Sequence, residues 1–234
     1  MGMRIAKRAG VSRRVCPVIL IVDASASMSG RPIGQINLAI DNIVHKFTAL
    51  NRSNGSVCIK FAVLAFGINY LNSVQWVTGD SLVDPDGYVW SDMQAGGLAP
   101  MGKAFRELKE VLDGNVLLQC MAGSLRPVFM LFSGGHSTDP DNYVLSQLEA
   151  LSSNIHFSRA QRYAIGFCEA NMSILRKFVS IGKDLHPYEI DRFTVYVNSS
   201  CNDIYSFTEK IQFVTIEDTC IVGRDDWEFG NKSL

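Results

Sequence analysis

The chain has 234 residues, of which 47% are hydrophobic and 19% are charged, and its formal net charge is −1 at pH 7. This composition excludes a disordered or highly charged protein and supplies enough apolar mass for one sizeable core. The near-neutral total gives no electrostatic reason to expect binding to nucleic acid or to a membrane surface. The longest apolar run near the N-terminus, residues 18–22, is far shorter than the roughly 20 residues that span a bilayer.

Hydrophobic periodicity predicts strands and helices that alternate along the chain. Continuous apolar runs are typical of strands buried on both faces, and apolar residues three or four apart are typical of helices. The predicted strands span residues 17–22, 57–66, 73–77, 128–132, 162–167 and 193–197, and the third can pair antiparallel with the second. The predicted helices span residues 32–50, 101–112, 141–151, 171–180 (with Asn171 as N-cap) and 201–213. Residues 80–91 and 115–126 are predicted loops.

This alternation predicts a single Rossmann-like α/β domain, with a mostly parallel central sheet, one antiparallel edge strand and helices on both faces. We place a basic N-terminal tail at residues 1–15, the domain at 16–217 and a C-terminal tail at 218–234. Basic residues precede the first apolar run, as in a secretory signal, but Pro17 and Asp23 argue against one. Ligand sites in such sheets lie beyond the carboxyl ends of the strands, so we expect any binding chemistry in the loops at those ends.

The six cysteines include no C-x-x-C pair, so neither a zinc ribbon nor a thioredoxin-type site is indicated. Cys16, Cys58 and Cys168 lie in or beside apolar runs, where a free thiol behaves as a small hydrophobic group. We expect reduced core thiols and a cytoplasmic location.

Asp23, Ser25 and Ser27 leave the first strand in a turn that Gly30 closes. One carboxylate and two hydroxyls at a spacing of two suit a hard cation such as Mg²⁺, which prefers oxygen ligands. The same residue types are also common in turns without any ligand. The spacing alone leaves both interpretations open.

Three segments together resemble the von Willebrand factor type A (vWA) domain, whose metal-ion-dependent adhesion site begins with D-x-S-x-S. They read VILIVDASASMSGRPI, AGGLAPMGKAF and FMLFSGGHSTDP. The resemblance covers about residues 16–215 and is greatest to the bacterial, intracellular type associated with tellurite-resistance and stress operons. It implies a three-layer α/β/α vWA fold, with Asp23, Ser25 and Ser27 as ligands of Mg²⁺ or Mn²⁺.

Two positions depart from the metal-binding pattern of that family. Ala99 stands where the second loop usually carries Thr, and Gly134 stands where the third loop usually carries Asp. One carboxylate and two hydroxyls remain, and Mg²⁺ binds mainly through carboxylates. We therefore expect weak or absent metal binding, because nothing in the sequence places Asp139, His136 or Asp92 at the ion.

Enzymatic motifs are few. A haloacid-type phosphatase needs a second carboxylate two residues after the first, and that position is Ser25. The chain has no phosphate-binding G-x-x-x-x-G-K-[ST] loop and no G-x-S-x-G nucleophile elbow. We expect no catalysis, with a hydrolase using Asp23 and a structural subunit of a larger assembly as the alternatives.

The resemblance implies a non-catalytic protein–protein interaction module in bacterial stress-response or phosphorylation-linked signalling. Its partner would be a protein, such as a kinase or phosphatase encoded nearby. We expect the contacting residues to ring the degenerate metal site, where the loops after the strands converge. With Ser25 and Ala99 beside them, these residues are Met28, Ser29, Arg31, Pro100, Met101, His136 and Ser137. Exposed Met28 and Met101 are expected to supply adaptable apolar contact.

Overall fold

The structure is a computed structural model that describes residues 13–69, 71, 73–114, 117, 124–167 and 170–180. It also describes the backbone of three further strands, at residues 195–198, 211–216 and 219–224. Within this part of the chain, no helix is both long and apolar enough to cross a membrane.

A six-stranded sheet forms the centre of the domain. Its strands are β1 (Arg14–Asp23), β2 (Val57–Phe66), β3 (Val74–Trp76), β4 (Val128–Ser133), β5 (Gln161–Phe167) and β6 (Val195–Asn198). They lie in the order β3-β2-β1-β4-β5-β6, and every pairing is parallel except that of β3 with β2. The predicted mostly parallel sheet with an antiparallel edge strand is confirmed.

The described helices are α1 (Arg31–Ser53), α2 (Met101–Asp113), α3 (Asp141–Ser152), α4 (Ile155–Arg159) and α5 (Met172–Ser180), preceded by a 3₁₀ turn at Ala26–Met28. They cover both faces of the sheet because side chains alternate along each strand. In β1, Val18, Leu20 and Val22 pack in the core on the α1 side. Ile19 and Ile21 pack in the core formed with α2, α3 and α5. The chain therefore folds into three layers.

The predicted elements agree with the structure to within a few residues, with two exceptions. Helix α4 was not predicted. The last three residues of the helix predicted at 201–213 are instead part of β7 (Ile211–Ile216), which pairs antiparallel with β8 (Thr219–Arg224). The preceding residues of that predicted helix lie outside the described part, as does most of the loop predicted at 115–126. The tail boundary proposed at 217/218 falls between these two strands.

Asn37 on α1 holds the long segment that leads to the second predicted metal loop. Its buried side chain donates from Nδ2 to the Met93 carbonyl (3.0 Å), while Oδ1 accepts from the Met93 amide (3.0 Å) and from Trp90 Nε1 (3.3 Å). A side-chain amide presents one donor and one acceptor side by side, so it satisfies a backbone segment as a neighbouring strand would. This contact fixes the approach to residues 96–101 against α1.

Candidate functional site

Three loops meet at the carboxyl edge of the sheet. The Ala26 amide donates to the Gly97 carbonyl (2.8 Å), and the Gly96 amide donates to the Ala24 carbonyl (3.0 Å). The Gly97 amide donates in turn to the Gly67 carbonyl (2.6 Å). The segment after β1 is thereby joined to the loop after β2 and to the segment before α2.

The loop after β4 completes the arrangement. The Ala99 carbonyl accepts from the Thr138 amide (2.9 Å) and from Ser137 Oγ (2.8 Å). Close packing requires glycine at position 67, where φ is +83° and a Cβ would lie 2.7 Å from the Ser25 backbone. The loops predicted to converge do so, and they meet around the end of β1.

Asp23 lies at the centre of this convergence and is only 1% exposed. Its Oδ1 accepts hydrogen bonds from the Ser25 amide (3.0 Å) and from Ser25 Oγ (2.6 Å). Its Oδ2 accepts from Ser133 Oγ (2.7 Å), and Ser133 Oγ accepts in turn from the Gly135 amide (2.9 Å). Both carboxylate oxygens are therefore occupied by donors from two different loops.

The electrostatic balance at Asp23 favours the neutral acid relative to an aspartate in water. Burial raises the pKa of Asp23 above its ordinary value, while hydrogen bonds from Ser25 and Ser133 and the charge of His136 act to lower the pKa. Burial is the largest of these effects. The serine hydroxyls thus offset part of the cost of placing a carboxyl group in the interior.

The hydrogen-bonded chain continues from Asp23 to the surface. Ser25 Oγ lies 3.0 Å from the hydroxyl oxygen of Ser27, which is exposed. Ser25 is almost fully buried, so Ser27 is the member of the predicted metal set that solvent reaches. The structure therefore brings together Asp23, Ser25 and Ser27, as the D-x-S-x-S pattern predicts.

The donor set fits a divalent cation only in part. Two oxygens 3.0 Å apart, as in Ser25 and Ser27, match neighbouring ligands of Mg²⁺ with bonds of about 2.1 Å. Ala99 places a methyl group, and Gly134 no side chain, where the family pattern has a hydroxyl and a carboxylate. The one carboxylate present already accepts from two serines. This set falls short of what a tightly held Mg²⁺ needs.

The residues considered as substitutes do not complete the set. Asp139 turns toward α2, where its Oδ2 accepts from the Lys103 amide (3.2 Å) at the helix N-terminus. Asp92 is exposed on the segment held by Asn37. Across the described residues, no group of three or more His, Cys, Asp or Glu side chains is placed to hold a metal ion.

The sequence patterns did not identify Ser133 as a site residue, although its hydroxyl donates a hydrogen bond to Oδ2 of Asp23. The register shows why the two residues meet: Val22 pairs with Phe132, so Asp23 and Ser133 are the next residues on adjacent parallel strands. Both follow a buried apolar run, and this shared pattern was the available signal. Aligning the C-terminal ends of the runs in β1 and β4 places the hydroxyl of Ser133 beside the carboxylate of Asp23.

The predicted contact residues divide into two groups. Three are buried: Met28, Pro100 and Met101. The others reach the surface at least in part: Ser29, Arg31, His136 and Ser137. The expectation that Met28 and Met101 are exposed is wrong, since they are 1% and 0% exposed.

Each methionine is buried for a local reason. Met28 ends the 3₁₀ turn and packs in the core on the α1 side. Met101 is the first residue of α2 and packs in the opposite core. Leu98, on the segment before α2, does reach the surface and is 55% exposed. We define the rim as the exposed residues Ser27, Ser29, Arg31, Leu98 and His136.

A family model of the von Willebrand factor type A domain matches residues 18–201, which is most of the chain. The chain belongs to this family. Domains of the vWA family commonly mediate protein–protein interaction or adhesion. No sequence among curated proteins matches this vWA chain.

Solved structures share the vWA fold at low sequence identity. The pilus adhesin SpaC from Lactobacillus rhamnosus GG, in its open conformation, matches with a TM-score of 0.58 at 10% identity, over 85% of this chain and 29% of that chain. Proximal thread matrix protein 1 from the mussel byssus matches with a TM-score of 0.55 at 13% identity, over 84% and 47%. The PilB minor pilin from Streptococcus sanguinis matches with a TM-score of 0.57 at 8% identity, over 84% and 60%. The chain thus spans less than two thirds of each of these proteins, and the likeness is one of fold.

Proposed function

We propose that this vWA domain is a non-catalytic protein–protein interaction module whose contact face is the rim. The observation that carries the proposal is the state of Asp23, which is 1% exposed and hydrogen-bonded through both oxygens, beneath exposed loops from three parts of the chain. A buried, fully engaged carboxylate supports the shape of these loops. The exposed residues around it are then available for a partner.

The arrangement argues against the alternative of a hydrolase that uses Asp23. A nucleophilic carboxylate must approach its substrate, and a general acid–base pair needs a second group within reach. Asp23 is covered, and Ser25 occupies the position of the second acid and donates to Asp23. We expect no hydrolysis of generic phosphomonoesters above background, and turnover that Asp23→Asn abolishes would contradict this. A structural subunit of a larger assembly would instead co-elute stably with co-expressed neighbours.

We further propose that the domain holds Mg²⁺ or Mn²⁺ weakly or not at all. Gly134 can accept a side chain, because a Cβ there meets only Phe167 and His136 atoms at ordinary distances of 3.7 and 3.8 Å. Calorimetric titration should therefore show at least a tenfold gain in Mg²⁺ affinity when Ala99→Thr and Gly134→Asp are combined. Sub-micromolar affinity in the wild-type protein would contradict the proposal.

The finer assignment rests on the three sequence segments that resemble the bacterial, tellurite-resistance-associated type. They support a cytoplasmic role in stress-response or phosphorylation-linked signalling, with a kinase or phosphatase as the partner. Cys58, whose thiol is free and buried, suits a reducing compartment. The identity of the neighbouring genes would test this assignment directly.

The contact face is tested with two matched substitutions. Leu98 on the rim is 55% exposed, and Ile155 on α4 is 53% exposed. Helix α4 precedes β5 and so lies toward the opposite edge of the sheet. Leu98→Asp should abolish recovery of the partner from an extract of the source cells, whereas Ile155→Asp should leave recovery unchanged, with both melting temperatures near that of the wild type. Equal recovery by the two variants would show that the rim is not the contact face.

A further inference from the structure

Two exposed leucines lie on adjoining loops at the carboxyl edge of the sheet. Leu71, between β2 and β3, is 94% exposed, and Leu98, before α2, is 55% exposed. Their loops meet backbone to backbone, because the Gly97 amide donates to the Gly67 carbonyl (2.6 Å) and a Cβ on Gly97 would lie 2.9 Å from the carbonyl oxygen of Asn69. Each leucine is within two residues of this contact, so both side chains reach the surface at the same corner of the domain.

A lysine joins the same two segments a few residues further along. Lys103, in the first turn of α2, donates from Nζ to Ser73 Oγ (3.0 Å). The Leu71 amide donates to Asn69 Oδ1 (3.0 Å), which fixes the backbone of Leu71 beside Asn69. The Lys103 ammonium carries three hydrogens, so two remain for another acceptor. Among the residues that the structure describes, Lys103 forms no ion pair, although Glu107 follows it by one helical turn.

This corner of the domain combines apolar area with positive charge. Adjacent exposed apolar side chains on a folded domain mark a site of protein contact, because their burial releases ordered water. The charged residues of the neighbouring rim, Arg31 and His136, are both basic. Asp139 is engaged within the domain, where its Oδ2 accepts from the Lys103 amide (3.2 Å). Charge complementarity therefore favours an acidic partner segment over a basic one.

We infer that the leucine edge, defined as Leu71, Leu98 and Lys103, binds a segment of the protein partner in which an apolar side chain lies next to a carboxylate. The apolar side chain covers the two leucines, and the carboxylate accepts hydrogen bonds from Lys103 Nζ. This inference rests on the proposed function, since Leu98 belongs to the rim, and it names the chemistry of the partner. The contact needs no metal ion, because the cation that meets the carboxylate is a side chain of the domain.

A library of random heptapeptides displayed on phage tests the inference, with the full chain immobilised in EDTA and, in parallel, in Mg²⁺. We expect the selected peptides to share an apolar residue within two positions of Asp or Glu, to the same degree in both buffers. A selected peptide should bind Leu71→Ser and Lys103→Gln at least about tenfold more weakly than the wild type, because apolar burial or a hydrogen bond to a charged group is lost. The same peptide with lysine in place of its acidic residue should bind Lys103→Glu better than it binds the wild type.

Two matched variants control for the loss of apolar area or of charge alone. Val89 is 85% exposed and stands next to Trp90, whose indole is held by α1, so Val89→Ser removes an exposed apolar side chain from another loop. Arg106→Gln removes one positive charge from the exposed side of α2. Both controls should bind a selected peptide within about twofold of the wild type, and every variant should melt near the wild type because none of these side chains is buried.

Other results would overturn the inference. Selected peptides that carry Asp or Glu but are released by EDTA would show a metal-bridged site. Peptides that bind Leu71→Ser and Lys103→Gln as tightly as the wild type would overturn the inference, as would a library that yields no peptide at all. Release of such peptides by Leu98→Asp would leave the proposed function standing. If no selected peptide is released by Leu98→Asp, the proposed function fails as well.

Discussion

Replacing Ser133 with alanine should destabilise the domain through two hydrogen bonds at once. Ser133 is fully buried, donates to Asp23 Oδ2 (2.7 Å) and accepts from the Gly135 amide (2.9 Å). A hydrogen bond contributes about 0.5–1.5 kcal/mol between neutral groups and about 1.5–3 kcal/mol when one group is charged, and a buried amide left without an acceptor costs about 1–3 kcal/mol. Rearrangement or an entering water offsets part of this sum, so we expect a loss of about 3 kcal/mol in the free energy of unfolding.

Urea denaturation followed by circular dichroism measures this loss. For a domain of this size, about 3 kcal/mol corresponds to a fall of roughly 6–12 °C in melting temperature. Ser29→Ala is the control, because it removes an exposed hydroxyl and should change the free energy of unfolding by less than about 0.5 kcal/mol. A similarly small change for Ser133→Ala would refute the reasoning, since the contacts of Ser133 would then contribute nothing net.

The remaining predictions concern pH and the buried methionines. Burial raises the pKa of Asp23, so its contribution to stability is present below pH 3.8 and is lost as the pH rises through the folded-state pKa. Relative to Asp23→Asn, the wild type should therefore lose stability as the pH rises above 3.8. The pKa of Asp113 is lowered, chiefly by the hydrogen bond from Lys109. Relative to Asp113→Asn, the wild type should therefore lose stability as the pH falls below 3.8. Urea midpoints measured at several pH values would check the predictions for Asp23 and Asp113. Met28→Glu or Met101→Glu buries a carboxylate and should lower the melting temperature by more than 10 °C or prevent folding. Leucine at either position should lower the free energy of unfolding by less than about 1.5 kcal/mol. A glutamate variant that melts like the wild type would contradict the burial of these side chains.

The sheet could be predicted because each buried strand is a run of apolar residues that can be seen within its own short segment. Residues 57–66 are apolar except for Lys60, and β2 has the same bounds, since a strand buried on both faces is apolar along nearly its whole length. Helix α4 has five residues, which is too few for a helical period to repeat. Its N-cap Asn154 accepts hydrogen bonds from the amides of His156 and Phe157. Hydrophobic periodicity does not detect a helix start of this kind.

The sequence predicted which polar residues of the candidate site share one turn, but it did not predict which residues around them are buried. The D-x-S-x-S spacing places Asp23, Ser25 and Ser27 together because the three residues share one short turn. Whether Met28 faces solvent depends on α1 and the core beneath it, which are fixed only when distant segments pack. Composition at a loop therefore indicates which polar groups gather there, while exposure is a property of the whole fold.

The contact between Asn37 and Met93 also bears on the entropy of association. The segment from β3 to α2 contains no helix and no strand, yet Asn37 binds both backbone groups of Met93 and the indole of Trp90. A loop that orders only on binding spends part of the interaction energy on losing its own conformations. Here much of that loss has already occurred during folding. A partner that approaches Leu98 therefore meets a surface held in place beforehand, and affinity can come from a small number of contacts.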